Sequence, residues 1–182
     1  SKVVTSCVYP VEGECEVFTN SPKIAQERKV LLALLAARAP ESDVIANMAA
    51  QMGATEGYAR LKPLDAGKCI LCGLCVQACE SMGAGAISTV NRGVEKEVNT
   101  PYGAASDACI GCLSCANVCP TGCIEFTEDT DTRIIWNRAF ALVRCKECGQ
   151  VLGTREMSDV DICDACRKKA LADEMAQTYR FV

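Results

Sequence analysis

Apolar residues recur at helical spacing in the first third of the chain. Ser21 followed by Pro22 predicts a helix start, because serine can accept a hydrogen bond from a free backbone N–H and proline has no N–H to leave unsatisfied. The apolar stripe consists of Ile24, Val30, Leu31, Leu34 and Leu35. Pro40 cannot continue a helix, so the pattern predicts one helix between these two prolines.

Two further helices are predicted. Ser42 can cap a helix that runs from Asp43 to Met52, and Gly53 is suited to end it. Residues 164–180 predict a terminal helix. We expect the helices before residue 60 to be packing elements.

Period-two alternation predicts strands in two places. Residues 1–20 predict a hairpin, with strands at Val3–Val4 and Glu16–Thr19 joined by a turn at residues 12–14. Residues 131–144 predict one strand whose alternate apolar side chains share a face. These side chains are Ile134, Trp136, Phe140 and Leu142. We expect the indole to be a packing residue, since a buried indole needs no further role.

Cysteine spacing shows what chemistry this scaffold supports. The chain has 15 cysteines. Eight of them, between residues 69 and 119, form two C-x2-C-x2-C-x3-C runs. The first run is Cys69, Cys72, Cys75 and Cys79, and the second is Cys109, Cys112, Cys115 and Cys119. This spacing is typical of two iron–sulfur clusters held by thiolates. The runs are copies of one motif, and we expect the polar linker between them, residues 88–108, to form an exposed loop or hairpin.

The predicted fold class is α+β. We expect a ferredoxin-like dicluster unit with an N-terminal hairpin plus helices and a C-terminal four-cysteine metal element. The corresponding domains are residues 1–60, the N-terminal hairpin and helical scaffold; residues 61–130, the dicluster domain; and residues 131–182, the four-cysteine element and helix.

Charge and composition exclude several function classes. The chain of 182 residues has a net charge of −4, and its one dense basic run is Arg167–Lys169, so nucleic acid is not expected as a partner. The chain has no histidine, which removes the commonest general acid–base group, and no catalytic residue is predicted. The longest apolar stretch, Val30 to Ala37, is too short to span a membrane.

The expected location is the cytoplasm. No secretory leader opens the sequence, and closely spaced thiols are typical of metal ligands rather than of a disulfide framework. Free thiols and metal thiolates persist in the reducing cytosol.

Ligands can be assigned to each cluster from the bacterial two-cluster pattern, in which the fourth cysteine of each run crosses to the other cluster. Cluster I is then bound by Cys69, Cys72, Cys75 and Cys119, and cluster II by Cys109, Cys112, Cys115 and Cys79. Gly73 and Gly111 allow backbone N–H groups to approach the sulfurs. Zinc is the alternative, but it favours two C-x2-C pairs. The runs therefore favour [4Fe–4S] clusters and one-electron transfer.

The last cysteine set is ambiguous. Cys145, Cys148, Cys163 and Cys166 form two C-x2-C pairs, which is the spacing of a closed structural zinc site. The same chain carries two cluster motifs, and this context favours a third [4Fe–4S] cluster. Structural zinc remains the alternative.

Part of the chain resembles known families. Residues 69–126 resemble dicluster bacterial ferredoxins, including the Cys119–Pro120 step. Residues 6–13, 19–21 and 31–40, with Arg28, are similar to the iron–sulfur subunits of respiratory NADH dehydrogenases and iron-only hydrogenases. In that family the cysteine matching Cys7 is a [2Fe–2S] ligand, and its three partners would precede residue 1. The resemblance implies that this cluster is absent and that Cys7 and Cys15 are buried small hydrophobic residues.

The overall arrangement looks like the small iron–sulfur subunit of tungsten-dependent benzoyl-CoA reductases. This resemblance implies an anaerobic electron-transfer subunit that relays low-potential electrons from a donor protein to a large tungstopterin-type catalytic subunit. The alternatives are an iron–sulfur subunit of a hydrogenase or formate dehydrogenase complex, or a free ferredoxin-like carrier. A zinc-ribbon module that binds nucleic acid is disfavoured by the acidic charge balance.

Overall fold

The computed structural model describes residues 2–54, 67–157 and 159–178. The chain divides into two compact units, residues 1–70 and residues 71–182. None of the described helices is both long and apolar enough to cross a membrane.

Two helices lie in the described part of the first unit. Helix α1 is Pro22–Arg38 and helix α2 is Asp43–Gln51. Both begin as predicted, because Ser21 Oγ accepts a hydrogen bond from the backbone N–H of Ile24 at 3.4 Å and Ser42 Oγ accepts one from Ile45 at 3.4 Å. A small apolar cluster lies within this unit and consists of Leu32, Ala49, Ala54 and the half-buried Met52.

The predicted N-terminal hairpin is wrong. Residues 2–20 contain no strand, and their local order is a turn in which the N–H groups of Val8 and Tyr9 both donate to Thr5 O at 3.2 Å. Cys7 and Cys15 are exposed, so the expectation that both are buried is also wrong. The two candidate strands had only each other to pair with, and an isolated two-stranded hairpin is marginal in water.

The second unit begins within the cysteine repeat, after Cys69. Helix α3 is Leu74–Ser81, and helix α4, a single turn, is Ser114–Asn117. Between them, strands β1 (Ser88–Val90) and β2 (Glu97–Asn99) pair antiparallel, and short 3-10 turns lie at residues 93–95 and 101–103. The linker is therefore a hairpin, one of the two predicted forms.

A four-stranded antiparallel sheet follows. Its strands are β3 (Phe126–Glu128), β4 (Thr132–Ile135), β5 (Arg138–Arg144) and β6 (Val151–Thr154), and they are neighbours in that order. The register is irregular between Val143 and Arg144, where β5 pairs with β6. Helix α5, Asp164–Thr178, ends the described chain and has no buried residue.

The single strand predicted over residues 131–144 is two strands. Trp136 and Asn137 form the turn between β4 and β5, with φ of +52° and +59°. These values match the two-residue hairpin turn whose twist fits the flanking strands, although such turns usually contain glycine. Trp136 therefore does not share a strand face with Phe140.

Thiols form much of the core of the second unit. The buried cluster consists of Cys75, Cys79, Ala86, Ile87, Cys109, Cys115, Ile135 and Phe140. The predicted α+β class is confirmed. Because thiols occupy positions that large apolar side chains could fill, metal binding by these thiols would add to the cohesion of this core.

Candidate metal centres

The two cysteine loops have the same backbone conformation. The residue before the second cysteine is left-handed in both loops, Leu71 at φ +56° and Gly111 at φ +66°. The residue after the second cysteine is also left-handed in both, Gly73 at φ +78° and Leu113 at φ +61°. The sequence repeat is therefore a structural repeat. Sequence reasoning singled out both glycines and missed both leucines, since leucine gives no signal for a positive φ.

Cysteines from both runs line one cavity in the second unit. Its volume is about 320 Å³, which includes space open to solvent. The cysteines that line it are Cys79, Cys109, Cys112 and Cys115, the set predicted to bind cluster II. The remaining wall is apolar and includes Ala84, Ile87, Ile135 and Trp136.

The electrostatics of this cavity disfavour free thiolates at Cys109 and Cys115. Burial raises the pKa of Cys109, and the neighbouring Cys79 and Cys112 raise it further. A hydrogen bond from the backbone N–H of Gly111 lowers this pKa but does not cancel the rise. Burial also raises the pKa of Cys115, and the same two neighbours add to it. Deprotonated thiolates in this apolar space require a positively charged centre, which the irons of a cluster supply.

Three of the predicted cluster I ligands lie near one another in the second unit. Burial raises the pKa of Cys75, and the nearby Cys72 and Cys119 raise it further. Cys69, the remaining predicted ligand, is half-buried and belongs to the first unit.

Backbone N–H groups point at the two crossing cysteines. Ala86 donates to Cys79 Sγ at 3.2 Å, and Cys123 donates to Cys119 Sγ at 3.3 Å. Although burial opposes it, hydrogen bonding from Cys123 and Thr121 lowers the pKa of Cys119. Such donors stabilise the thiolate form that metals bind.

An arginine from the sheet holds the start of the second cysteine loop. Arg138 Nη1 donates to the carbonyl oxygens of Ser106 at 3.0 Å, Asp107 at 2.8 Å and Cys109 at 2.8 Å. The guanidinium carbon also lies 5.0 Å from the centre of the Phe140 ring. One side chain of β5 thus holds the carbonyl groups of Cys109, the first cysteine of the second run, and of two residues that precede it.

Two other sheet residues hold the middle of the same loop. Thr154 Oγ1 donates to Ile110 O at 2.5 Å, and the buried Arg133 donates through Nη1 to Gly111 O at 2.7 Å. Arg133 is itself paired with Glu128, with Nη2 2.6 Å from Oε2. The sheet therefore orients the loop that carries Cys109 and Cys112.

Trp136 contributes a polar group to the cavity. Its indole nitrogen is buried, and among the described residues no atom lies in the right geometry to accept a hydrogen bond from it. Its side chain nevertheless approaches Cys115 and opposes the rise in that thiol's pKa. A bulky residue at positive φ in a cavity wall, with an unsatisfied donor, is a functional candidate that sequence reasoning treated only as packing.

The C-terminal cysteines converge as the sequence predicts. The Sγ atoms of Cys145, Cys148, Cys163 and Cys166 all lie within 4.8 Å of one another. Cys145 directly follows β5, and its N–H donates to Gln150 O at 2.8 Å to close the first turn. An exposed ion pair between Lys146 and Asp161 joins the two cysteine segments.

Hydrogen bonds within this set separate the acidities of its thiols. Backbone N–H groups of Cys163 and Cys148 lower the pKa of Cys145 to about 6, so this group is a thiolate at neutral pH. Interactions with Cys163 and Cys148 raise the pKa of Cys166 to about 12. Four sulfurs with one charge already formed are suited to a cation.

Comparison with protein families places a known domain on the repeat. Residues 63–126 match the family described as a 4Fe-4S dicluster domain. The resemblance to dicluster ferredoxins is therefore confirmed.

Curated relatives extend the similarity beyond this domain. The chain is 28% identical over 144 residues to the NADP-reducing hydrogenase subunit HndD of Solidesulfovibrio fructosivorans, which covers 65% of this chain and 25% of the relative. It is 32% identical over 94 residues to an NADH-quinone oxidoreductase subunit of Rhizobium meliloti (strain 1021), covering 50% of this chain and 11% of the relative. The chain thus spans a quarter or less of each relative's length. The resemblance to hydrogenase and NADH dehydrogenase iron–sulfur subunits is confirmed.

A solved structure shares the fold. A chain of an NAD+-reducing [NiFe]-hydrogenase in the H2-reduced state aligns with a TM-score of 0.50 at 23% identity, over 64% of this chain and 61% of that one.

Proposed function

We propose that this chain, which contains a 4Fe–4S dicluster domain, is an electron-transfer subunit of a larger oxidoreductase. The observation that supports this most is the cavity that Cys79 of the first run lines together with Cys109, Cys112 and Cys115 of the second. A ligand set drawn from both runs is the arrangement expected of two adjacent clusters within one domain.

The proposed ligand sets are those of the crossed pattern. Cluster I takes Cys69, Cys72, Cys75 and Cys119, and cluster II takes Cys109, Cys112, Cys115 and Cys79. When bound, a [4Fe–4S] cluster supplies a one-electron couple. The protein's contribution is to present thiolates, to donate backbone N–H groups to Cys79 and Cys119, and to surround the second site with apolar side chains.

The proposed partner is a large catalytic subunit that receives electrons from this chain, with a donor protein on the other side. Support comes from the relatives, whose names describe a hydrogenase subunit and a quinone oxidoreductase subunit. Within the part of the chain that the structure describes, the candidate metal sites are sets of cysteines, which suit the binding of clusters that transfer single electrons. The proposal therefore places catalysis on the partner.

A finer form of the proposal specifies a tungstopterin partner that reduces an aromatic thioester, in a cytoplasmic enzyme. It rests on the sequence resemblance to benzoyl-CoA reductase subunits alone. Hydrogenase and formate dehydrogenase complexes are the alternatives, and the named relatives favour the hydrogenase type.

The test is anaerobic isolation of the affinity-tagged chain from cells that produce its natural partners, followed by size-exclusion chromatography in high salt. We expect a large subunit to remain bound, and its cofactor and substrate to identify the complex. Elution of the iron-loaded chain alone, near its own mass of 19.4 kDa, with rapid electron exchange with several acceptors, would instead establish a free carrier.

A further inference from the structure

We propose that the C-terminal cysteines bind a single Zn²⁺ ion rather than a third cubane. The site is Cys145, Cys148, Cys163 and Cys166. Sequence context favoured a third [4Fe–4S] cluster at this site, and the zinc assignment reverses that preference. It also goes beyond the proposed role in electron transfer.

Sulfur spacing is the first argument. All four Sγ atoms lie within 4.8 Å of one another, and those of Cys148 and Cys163 are 3.8 Å apart. Four thiolates at about 2.3 Å from one tetrahedral Zn²⁺ lie about 3.8 Å from each other. A cubane separates its thiolates much further, because each extends outward from a different iron at the corner of the cluster.

The same chain provides an internal comparison. Among the described residues, no other group of three or more cysteines or carboxylates has its ligand atoms within 4.8 Å of one another. The dicluster cysteines do not form such a group, although Cys79, Cys109, Cys112 and Cys115 share one cavity. The fold thus holds two kinds of cysteine site, one with more widely separated sulfurs and a tight one of ion size.

Four thiolates can hold either zinc or a single iron, and the order of metal affinities favours zinc. Four thiolates close the coordination sphere and leave no position for water, as in structural zinc sites. Backbone N–H groups support the sulfurs, from Cys163 to Cys145 Sγ at 3.3 Å and from Cys166 to Cys163 Sγ at 3.3 Å. Zn²⁺ binds such sites more tightly than Fe²⁺ does.

The location of the site shows which elements the ion would join. Cys145 is the residue after β5, and Cys163 and Cys166 lie at the start of α5. Strand β5 carries Arg138, whose side chain holds the loop at Ser106 to Cys109, and β6 carries Thr154. The ion therefore connects helix α5 to the sheet whose other residues position the cluster II loop.

Metal counting on the anaerobically purified full chain tests the proposal. We expect about eight irons and one zinc per chain. The double substitution Cys148→Ser with Cys166→Ser should remove the zinc and leave about eight irons. The matched control, Cys7→Ser with Cys15→Ser, changes two exposed cysteines and should keep both metals.

Several results would overturn the assignment. These are about twelve irons in the unaltered chain, about nine irons without zinc, or a loss of about four irons in the double variant. A count of one zinc with fewer than about eight irons would support the zinc site and would count against the proposed two-cluster electron transfer.

A second measurement covers the case in which the double variant fails to fold. X-ray absorption at the zinc edge of the unaltered chain should show four sulfur neighbours at about 2.3 Å. A shell dominated by oxygen or nitrogen would identify the zinc as adventitious and refute the proposal.

Discussion

Gly111 lies where the second cysteine loop meets the sheet. Its φ is +66°, and a Cβ placed there would lie 2.8 Å from the ring of Phe140 and 3.0 Å from Cγ2 of Thr154. Gly73 in the first loop has φ +78° and meets nothing within 4 Å. The two glycines therefore share a backbone requirement but differ in packing.

We expect Gly111→Ala to lower the free energy of unfolding by about 3 kcal/mol, because strain in the backbone adds to a clash with buried groups. Gly73→Ala, the matched control, should cost only about 1 kcal/mol. Chemical denaturation under anaerobic conditions measures both, and iron content should fall further for Gly111→Ala. Equal losses would show that the contact with Phe140 is unimportant.

Trp136 offers a test of how the cavity tunes its cluster. A donor near the Cys115 sulfur stabilises the more negative, reduced state, so Trp136→Phe should lower the cluster II potential. The shift should be on the order of 40 mV if the donor contributes about 1 kcal/mol. A redox titration followed by electron paramagnetic resonance measures it, with cluster I as the internal control. An unchanged potential in a fully loaded variant would leave the indole a packing residue.

At the scale of elements, the sheet supports the loop through Arg138. We expect Arg138→Ala to destabilise the protein by about 2 kcal/mol and to speed the loss of cluster II, because three carbonyl oxygens lose one shared donor. Arg167→Ala is the control, since its ion pair with Asp164 is exposed and contributes little. Iron release to a chelator over time compares the two. The same rate in both variants would contradict the supporting role of the sheet.

The elements that sequence predicts well are those with local signals. Ser21 and Ser42 cap helices at the expected places, since a cap needs only its own first turn. The turn at Trp136 and Asn137 escaped prediction because neither residue is glycine. The N-terminal hairpin failed for the opposite reason, since alternation alone does not supply a surface to pair with.

The candidate sites divide in the same way. Cysteine spacing predicts which residues are ligand candidates, because the spacing reflects local loop geometry. It does not reveal the sulfur separation at Cys145 to Cys166, which depends on how a turn after β5 meets the start of α5. Nor does it reveal the buried indole nitrogen near Cys115, which depends on a hairpin that lies further along the sequence.

For the whole molecule, the proposed crossed ligation would make the two cysteine runs interdependent. If Cys119 binds cluster I, Cys119→Ala should damage that cluster even though the residue belongs to the second run. Electron paramagnetic resonance of the reduced protein should then match Cys72→Ala rather than Cys112→Ala. Cys123→Ala is the control, because the interaction of this residue with Cys119 uses its backbone N–H. A spectrum that matches Cys112→Ala would reject the crossed assignment.

The left-handed positions of the two loops have a consequence for protein engineering. Leu71 and Gly111 occupy equivalent places, and at Gly111 the ring of Phe140 leaves no room for a side chain. If the second loop replaces the first, glycine takes the place of Leu71, where the backbone conformation stays the same and a side chain is lost. If the first loop replaces the second, leucine takes the place of Gly111 and collides with Phe140 and Thr154. The duplicated motif can thus be transplanted in one direction only.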